Sequence, residues 1–388
     1  MKPLCLVSTL TLLLVAASPS FADNYSQLNL VSDIPGMAAV TDPNLKDPWG
    51  MSFSPTSPIW VSDRATGVST LYNGLGAITP LVVAVPPGAP AGPTGQVFAG
   101  GTAFRLGGSP VNFIFSTLGG TIDAWNSTAG TTAAVMNTTS GASYTGLALL
   151  NNTLYAADFT SGGGIKVFDS SFAPTTVPGG FTDSSLPSGY APFNVQAIGG
   201  KLYVEYAQVT PGVPVATGGS GYVDVFDGNG NLLQRLVSNG PLSGPWGITL
   251  APSGFGMFGG DLLVGNFVNG EINAFDPATG AFLGTLVDAH GTPFVNSGLW
   301  ALAFDLPNGA PGALNPNELF FTAGPNGGND GLFGAIESTP EPAAWGLAAL
   351  GILGLFVLKC RRAGLTPSAG LRPPRRAAEP QPNAAKIG

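Results

Sequence analysis

Three short segments within residues 246–276 decide the fold: Trp246-Gly-Ile-Thr-Leu250, Asp261-Leu-Leu-Val-Gly-Asn266 and Glu271-Ile-Asn-Ala-Phe-Asp276. Each holds an apolar or alternating run of four to six residues, bounded by Gly, Pro, Asn or Asp. This pattern is typical of short β-strands separated by tight turns. The stretch therefore predicts a small sheet of short strands.

The same three-segment pattern recurs along the chain. Its copies begin near positions 49, 102, 145, 193, 246 and 300. A period of about 40–50 residues built from short strands is typical of propeller blades, and each unit has room for four strands. A parallel β-helix would give shorter repeats, and a two-sheet sandwich would give none. We predict an all-β chain that folds as a six-bladed β-propeller over residues 23–339.

Ring closure requires the first and last blades to be joined. Residues 28–31, Leu-Asn-Leu-Val, precede the first unit and lie outside the repeat. They are predicted to form the outer strand of the last blade, because such a seam leaves no open edge where the ring meets itself.

Composition and charge limit the partners. Of 388 residues, 44% are hydrophobic and only 9% are charged, with 57 Gly and 35 Pro, which favours many short strands and few helices. Residues 23–338 carry six basic and 20 acidic side chains, a net of −14, whereas residues 359–388 carry a net of +6. An acidic body does not suit a phosphate backbone, so no nucleic-acid partner is expected.

Both ends of the chain predict targeting segments. Residues 1–22 have the pattern of a signal peptide, with Lys2, an apolar run over 4–17 and the small-x-small site Ser20-Phe21-Ala22. An uncharged apolar run over 343–358 is followed by basic residues and predicts a transmembrane helix, although the run is shorter than the usual span of about 20 residues. Residues 363–388, rich in Pro, Ala and Arg, are predicted to be a disordered basic tail.

The C-terminal arrangement resembles the PEP-CTERM sorting signal of Gram-negative bacteria. The resemblance covers residues 340–362 and implies an exosortase as partner in the inner membrane. It also implies export across that membrane, anchoring before processing, and a final place at the cell surface or outside the cell. Its departure from the pattern is the long extension over 363–388 that follows the basic cluster. The residues that carry the resemblance are Pro340, Glu341, Pro342, Lys359, Arg361 and Arg362.

The body resembles a family as well. The segments Leu30-Val-Ser-Asp-Ile-Pro-Gly36, Pro48-Trp-Gly50 and Trp60-Val-Ser-Asp63 are similar to those of an uncharacterised bacterial, PEP-CTERM-associated β-propeller family with NHL-type repeats. This resemblance implies the fold and no particular reaction.

Few residues suggest chemistry. His290 is the single histidine, so zinc sites built on several histidines are excluded. Oxygen-bearing side chains lie at or near the end of the second strand in four units. If they converge on the channel they form a hypothetical calcium site, as in propeller lactonases of the gluconolactonase type. The alternative, which we favour, is that each side chain caps its own turn and no cofactor is bound. These residues are Asp63, Asp158, Glu205 and Asn266.

Three functions remain open at this point. The first is an exported surface or matrix module that binds polysaccharide or another surface protein, which the low charge and the lack of an evident catalytic set favour. The second is a calcium-dependent propeller hydrolase or lactonase with its site in the channel. The third is a structural spacer.

Overall fold

The computed structural model describes residues 24–304 and 315–339. Within these ranges the strands form six main sheets, five of four strands and one of five. The inner strand of each sheet contacts the inner strand of the next, and that of the sixth sheet contacts that of the first. The sheets therefore close into a ring, and the predicted six-bladed β-propeller is confirmed.

The strands of each blade run antiparallel from the channel outward. Blade 1 consists of Pro48–Ser52, Ile59–Asp63, Val68–Tyr72 and Ile78–Ala84. Blade 2 consists of Pro93–Phe98, Phe113–Thr117, Thr121–Trp125 and Ala134–Thr138. Blade 3 consists of Tyr144–Leu150, Thr153–Asp158, Ile165–Phe168 and Pro174–Thr175.

The second half of the ring repeats this order. Blade 4 consists of Tyr190–Ile198, Lys201–Gln208, Gly221–Phe226 and Leu232–Ser238. Blade 5 consists of Pro245–Leu250, Leu262–Asn266, Ile272–Phe275 and Phe282–Thr285. Blade 6 consists of Leu299–Phe304, Leu319–Ala323, Leu332–Thr339, the N-terminal strand Asn24–Ser32 and the short parallel strand Val40–Thr41.

The seam between the two ends of the ring is confirmed in blade 6. Asn24–Ser32 pairs antiparallel with Leu332–Thr339, from Asn24 opposite Thr339 to Ser32 opposite Leu332. The predicted outer strand over 28–31 is therefore real and extends over the whole of Asn24–Ser32. The ring is closed by hydrogen bonds between strands from opposite ends of the described chain.

The inner strand of blade 2 differs from its predicted place near residue 102. It is Pro93–Phe98, and the residues predicted as strand lie in a bend before the two-residue hairpin strands Arg105–Leu106 and Ser109–Pro110. The reason is that neighbouring inner strands approach each other closely. A Cβ on Gly95 would lie 2.4 Å from the backbone nitrogen of Leu147 in blade 3, so this position requires glycine. A segment with the bulky Phe104 does not fit there.

Helical structure in the described ranges is limited to single turns at Ser127–Ala129, Gly256–Phe258 and Pro325–Gly328. No helix there is long and apolar enough to cross a membrane. The helix predicted over 343–358 and the tail over 363–388 lie outside the described residues.

The core lies between the blades and is rich in aromatic rings. Trp49 of blade 1 stacks on Trp300 of blade 6 with ring centroids 3.6 Å apart, and Trp246 of blade 5 meets both edge-on. All three are buried. These tryptophans therefore hold neighbouring blades together through their packing.

Candidate functional site

One end of the channel is surrounded by loops from all six blades. At this end the inner strands begin and the second strands finish, so the loops that follow the second strands converge there. Two cavities of about 480 and 490 Å³ lie among these loops. We call this region the mouth. In contrast, the middle of the channel between the inner strands holds only about 50 Å³, and a cavity of about 310 Å³ lies towards the other end of these strands. The two largest of these spaces beside the channel axis are therefore those at the mouth.

A long loop of blade 4, residues 209–220, crosses the mouth. Pro214 from this loop lines both cavities, and so does Arg64 of blade 1, which lies on the opposite side of the ring. The hydroxyl oxygens of Thr210 and Thr217 lie 2.6 Å apart and join the two arms of the loop. The loop and Arg64 together divide the mouth into its two cavities.

The walls of the mouth are mainly apolar. Phe267 lies over Trp300 with ring centroids 4.2 Å apart, and Val268 beside it is exposed. In the second cavity Leu118 and Phe159 form the apolar wall. Small hydroxyl groups are spaced between these side chains at Ser143, Thr160, Ser161 and Ser297. Apolar walls with a few polar groups are typical of small-ligand sites.

One ion pair lies at the centre of the mouth. The Asp47 carboxylate accepts a hydrogen bond from Arg64 Nε, one from Trp49 Nε1 at 2.8 Å and one from Trp300 Nε1 at 3.2 Å. Arg64 Nη1 donates to the carbonyl oxygen of Pro90 at 3.0 Å. Two blades therefore hold Asp47, and Asp47 and Pro90 together hold Arg64 at the border of the two cavities.

The four predicted metal-ligating residues do not share one register. Asp63, Asp158 and Asn266 each pair with the first residue of the inner strand, namely Pro48, Tyr144 and Pro245. Glu205 instead lies three residues before the end of its second strand, Lys201–Gln208, and pairs with Asn194, the fifth residue of its inner strand. Because successive side chains of a strand point to opposite faces, Glu205 points to the other side of its blade.

Their contacts are local. Asp158 Oδ1 accepts from the backbone N–H of Ser143 and from the Thr160 hydroxyl, and Asn266 Oδ1 accepts from the backbone N–H of Ser243. Both side chains therefore support the loops of the mouth. Within the described ranges, no group of three or more His, Cys, Asp or Glu side chains is arranged to hold a metal ion.

Asp63 and Glu205 are fully buried. The Thr70 hydroxyl donates to Asp63 Oδ2, but Asp63 Oδ1 and both carboxyl oxygens of Glu205 have no hydrogen-bond partner among the described residues. Burial raises the pKa of both carboxyl groups well above the usual range, and for Asp63 the Thr70 hydrogen bond opposes part of that effect.

Three residues that line the mouth come directly after predicted positions. Arg64 follows Asp63, Phe159 follows Asp158, and Phe267 follows Asn266. Asp63, Asp158 and Asn266 thus end their second strands beside the mouth, and of these Asp158 and Asn266 hold its loops through hydrogen bonds. The single histidine, His290, is exposed and lines neither cavity.

The ring and its mouth define a six-bladed β-propeller with a ligand-sized depression at one end of the channel. The chain belongs to the family that includes the uncharacterized proteins R648 and L690 of Acanthamoeba polyphaga mimivirus. It is 34% identical to R648 over 328 residues, covering 79% of this chain and 78% of R648. It is 30% identical to L690 over 325 residues, covering 79% of this chain and 84% of L690.

This finding corrects the family suggested by the sequence. No family model matches the chain, and the relatives that show its family are viral proteins. Its assignment to a bacterial, PEP-CTERM-associated propeller family is therefore wrong. Segments such as Pro48-Trp-Gly50 and Trp60-Val-Ser-Asp63 are almost wholly buried in blade packing, so they indicate the fold more than the family. The residues predicted to form a sorting signal, within 340–362, lie outside the described ranges.

Solved propellers show a distant likeness. The virginiamycin B lyase of Staphylococcus aureus is 12% identical, with a TM-score of 0.48 and coverage of 81% of this chain and 99% of that one. A gluconolactonase of Xanthomonas campestris is 14% identical, with a TM-score of 0.35 and coverage of 73% and 90%. At these low sequence identities and TM-scores, neither structure indicates an activity for this chain.

Proposed function

We propose that the protein is an exported binding module and that a segment of polysaccharide occupies its mouth. The observation that supports this proposal most directly is the pair of adjoining cavities, about 480 and 490 Å³, built by all six blades around one charge pair. A ligand that fills both cavities contacts loops from every blade. Its sugar rings offer apolar faces to Phe267 in the first cavity and to Leu118 in the second, and hydroxyl groups to the serines and threonines beside them.

The proposal is tested by filling each cavity separately. Ser297 and Ser161 are exposed and line the first and second cavity, respectively. Ser297→Trp and Ser161→Trp should each weaken oligosaccharide binding at least about tenfold, since each new side chain occupies ligand volume. Ser184→Trp is the matched control, because Ser184 is exposed and lines neither cavity. Binding is measured by calorimetry against a panel of neutral and acidic oligosaccharides. Binding that all three variants leave unchanged would place the ligand elsewhere.

Export is a separate part of the proposal. It is supported by the signal-peptide pattern of residues 1–22 and by the low charge of the body. A reporter that is active only outside the cytoplasm, fused after Ser338, should be active. Deletion of residues 1–22 should abolish that activity, and activity that survives the deletion would contradict the proposal.

A further inference from the structure

Two arginines in the described part of the chain make charge pairs at similar exposure but differ in their number of partners. Arg235, 19% exposed, serves two carboxylates, Asp183 through Nη2 and Asp224 through Nε at 3.3 Å. Arg64, 21% exposed, serves one carboxylate, Asp47, through Nε. Arg235 shows that a half-buried guanidinium in this molecule accommodates a second carboxylate.

The second position beside Arg64 faces the mouth. Nε is bound to Asp47 and Nη1 to Pro90, whereas Nη2 makes no hydrogen bond to any described residue. Arg64 lines both cavities and is the only Lys or Arg of the described ranges that lines either one. A guanidinium edge in a cleft with mainly apolar walls is a strong site for a carboxylate, because it offers charge-assisted hydrogen bonds in a fixed geometry.

Asp47 does not compete for that edge. Its carboxylate is also held by the indole N–H groups of Trp49 and Trp300. It therefore keeps two neutral donors when the charge of Arg64 is shared. The Pro90 carbonyl holds the guanidinium from the other side, so the donor edge is already oriented before a ligand binds.

We propose that Arg64 binds a carboxylate of the ligand, so that the polysaccharide taken by the mouth contains uronic acid. This inference rests on the proposed function, because it names the chemistry of the ligand in the same site. One carboxylate contacts Arg64, and neighbouring sugar rings extend to either side of it into the two cavities. The net −14 charge of residues 23–338 disfavours polyanions in general, so recognition depends on this one contact.

The test compares acids with their own esters. Disaccharides of galacturonate, glucuronate and mannuronate, and the methyl esters of each, are titrated into the full-length protein by calorimetry. We expect at least one acid to bind, and its ester, which keeps the rings but loses the charge, to bind at least about tenfold more weakly.

Variants of Arg64 locate the contact. Arg64→Gln should remove the preference for the acid over the ester. Arg64→Lys keeps the positive charge beside Asp47, so it separates a lost ligand contact from a loss of folding. It should recover only part of the preference for the acid over the ester, because lysine lacks the planar guanidinium group. Arg105→Gln is the matched control, since Arg105 is exposed and bonds only the Gly108 carbonyl in a hairpin of blade 2.

The outcomes separate the two proposals. Equal binding of acid and ester, or a preference for the acid that survives in Arg64→Gln, overturns the role of Arg64 and leaves the mouth as a binding site. If only neutral oligosaccharides bind, the role of Arg64 is likewise overturned and the mouth remains a binding site. No binding of any acid, ester or neutral oligosaccharide overturns both proposals.

Discussion

Carboxylates occur in two contrasting places in this propeller. The carboxylates of one group lie in exposed turns, and each accepts two or more hydrogen bonds from its own turn. Three of these turns directly follow the third strands of blades 3, 4 and 5. The other group lies buried between blades, and each has at least one oxygen without a partner. The turn group is Asp169, Asp227, Asp276 and Asp288. The buried group is Asp63, Asp123, Glu205 and Asp224.

The two environments shift the pKa in opposite directions. Hydrogen bonds from the turn lower the pKa of the exposed carboxyl groups. Burial raises the pKa of Asp123 to about 7, and burial together with the nearby Asp183 raises that of Asp224 to about 7. The turn group therefore favours folding when ionised, and the buried group favours folding when protonated. The many acidic residues of this chain therefore have no single effect on its stability.

The largest expected effect is a loss of stability between pH 5 and pH 7. The folded pKa of Asp123 and Asp224 exceeds the unfolded value of 3.8. Their contribution is therefore complete below pH 4 and is lost as the pH rises to about 7. Urea unfolding across this range should show a fall of about 2–5 kcal/mol in the free energy of unfolding. A free energy of unfolding that rises from pH 5 to pH 7 would contradict the effect assigned to the buried carboxyl groups.

A smaller effect isolates one buried group. Asp123→Asn cannot ionise, so the variant should lose about half of the wild-type change in unfolding free energy between pH 5 and pH 7. Asp169→Asn, in an exposed turn, is the control and should keep the whole change. Equal slopes for the two variants would show that burial of Asp123 does not control the titration.

A still smaller effect should come from the turn group. Asp276 accepts from the backbone N–H groups of Ala278 and Thr279 and from the Thr279 hydroxyl. Its lowered pKa stabilises the fold above pH 4, and this contribution is lost as the pH falls through the folded pKa. Asp276→Asn should melt slightly below wild type at pH 6, and the two melting curves should converge towards pH 3. A difference that grows on acidification would be inconsistent with this role.

The smallest expected effect is that of calcium. If Asp63, Asp158 and Asn266 act locally, millimolar Ca²⁺ should shift the melting temperature no more than Mg²⁺ at equal ionic strength. Binding to the folded state alone would instead stabilise it by about 2.7 kcal/mol at a hundredfold excess over Kd. A calcium-specific rise that Asp158→Ala abolishes would favour the metal-dependent hydrolase.

The sequence predicts the repeat and its closure well, because blade packing imposes the same residues in each unit. It predicts Glu205 poorly. The second strand of blade 4, Lys201–Gln208, continues for three residues beyond Glu205, whereas the other three candidates are the last residues of their second strands. By register Tyr206, opposite Pro192, corresponds to Asp158. Glu205 is therefore offset by one residue, and its side chain lies on the opposite face. The other five blades have a small residue at the strand position equivalent to Glu205, for example Ser62 and Gly265. The sequence alone does not show that these positions are equivalent.

The mouth could not be predicted for a different reason. Its lining comes from loops of different blades, which are far apart in the chain and mostly differ in residue type: blade 1 provides Arg64, blade 2 Leu118 and blade 5 Phe267. Phe159 of blade 3 matches Phe267, but the other blades have different residues directly after the second strand. Lining residues that precede an inner strand, such as Ser143, carry no repeat signal.

The seam of blade 6 has a consequence for attachment. Asn24 is opposite Thr339, and the strand Leu332–Thr339 starts beside the mouth and runs away from it. Both ends of the ring therefore leave at one point on the side opposite the mouth. A protein, label or support joined before Asn24 or after Thr339 leaves the mouth free. For a biosensor or an affinity column, either of these two points would serve equally well as the place of attachment.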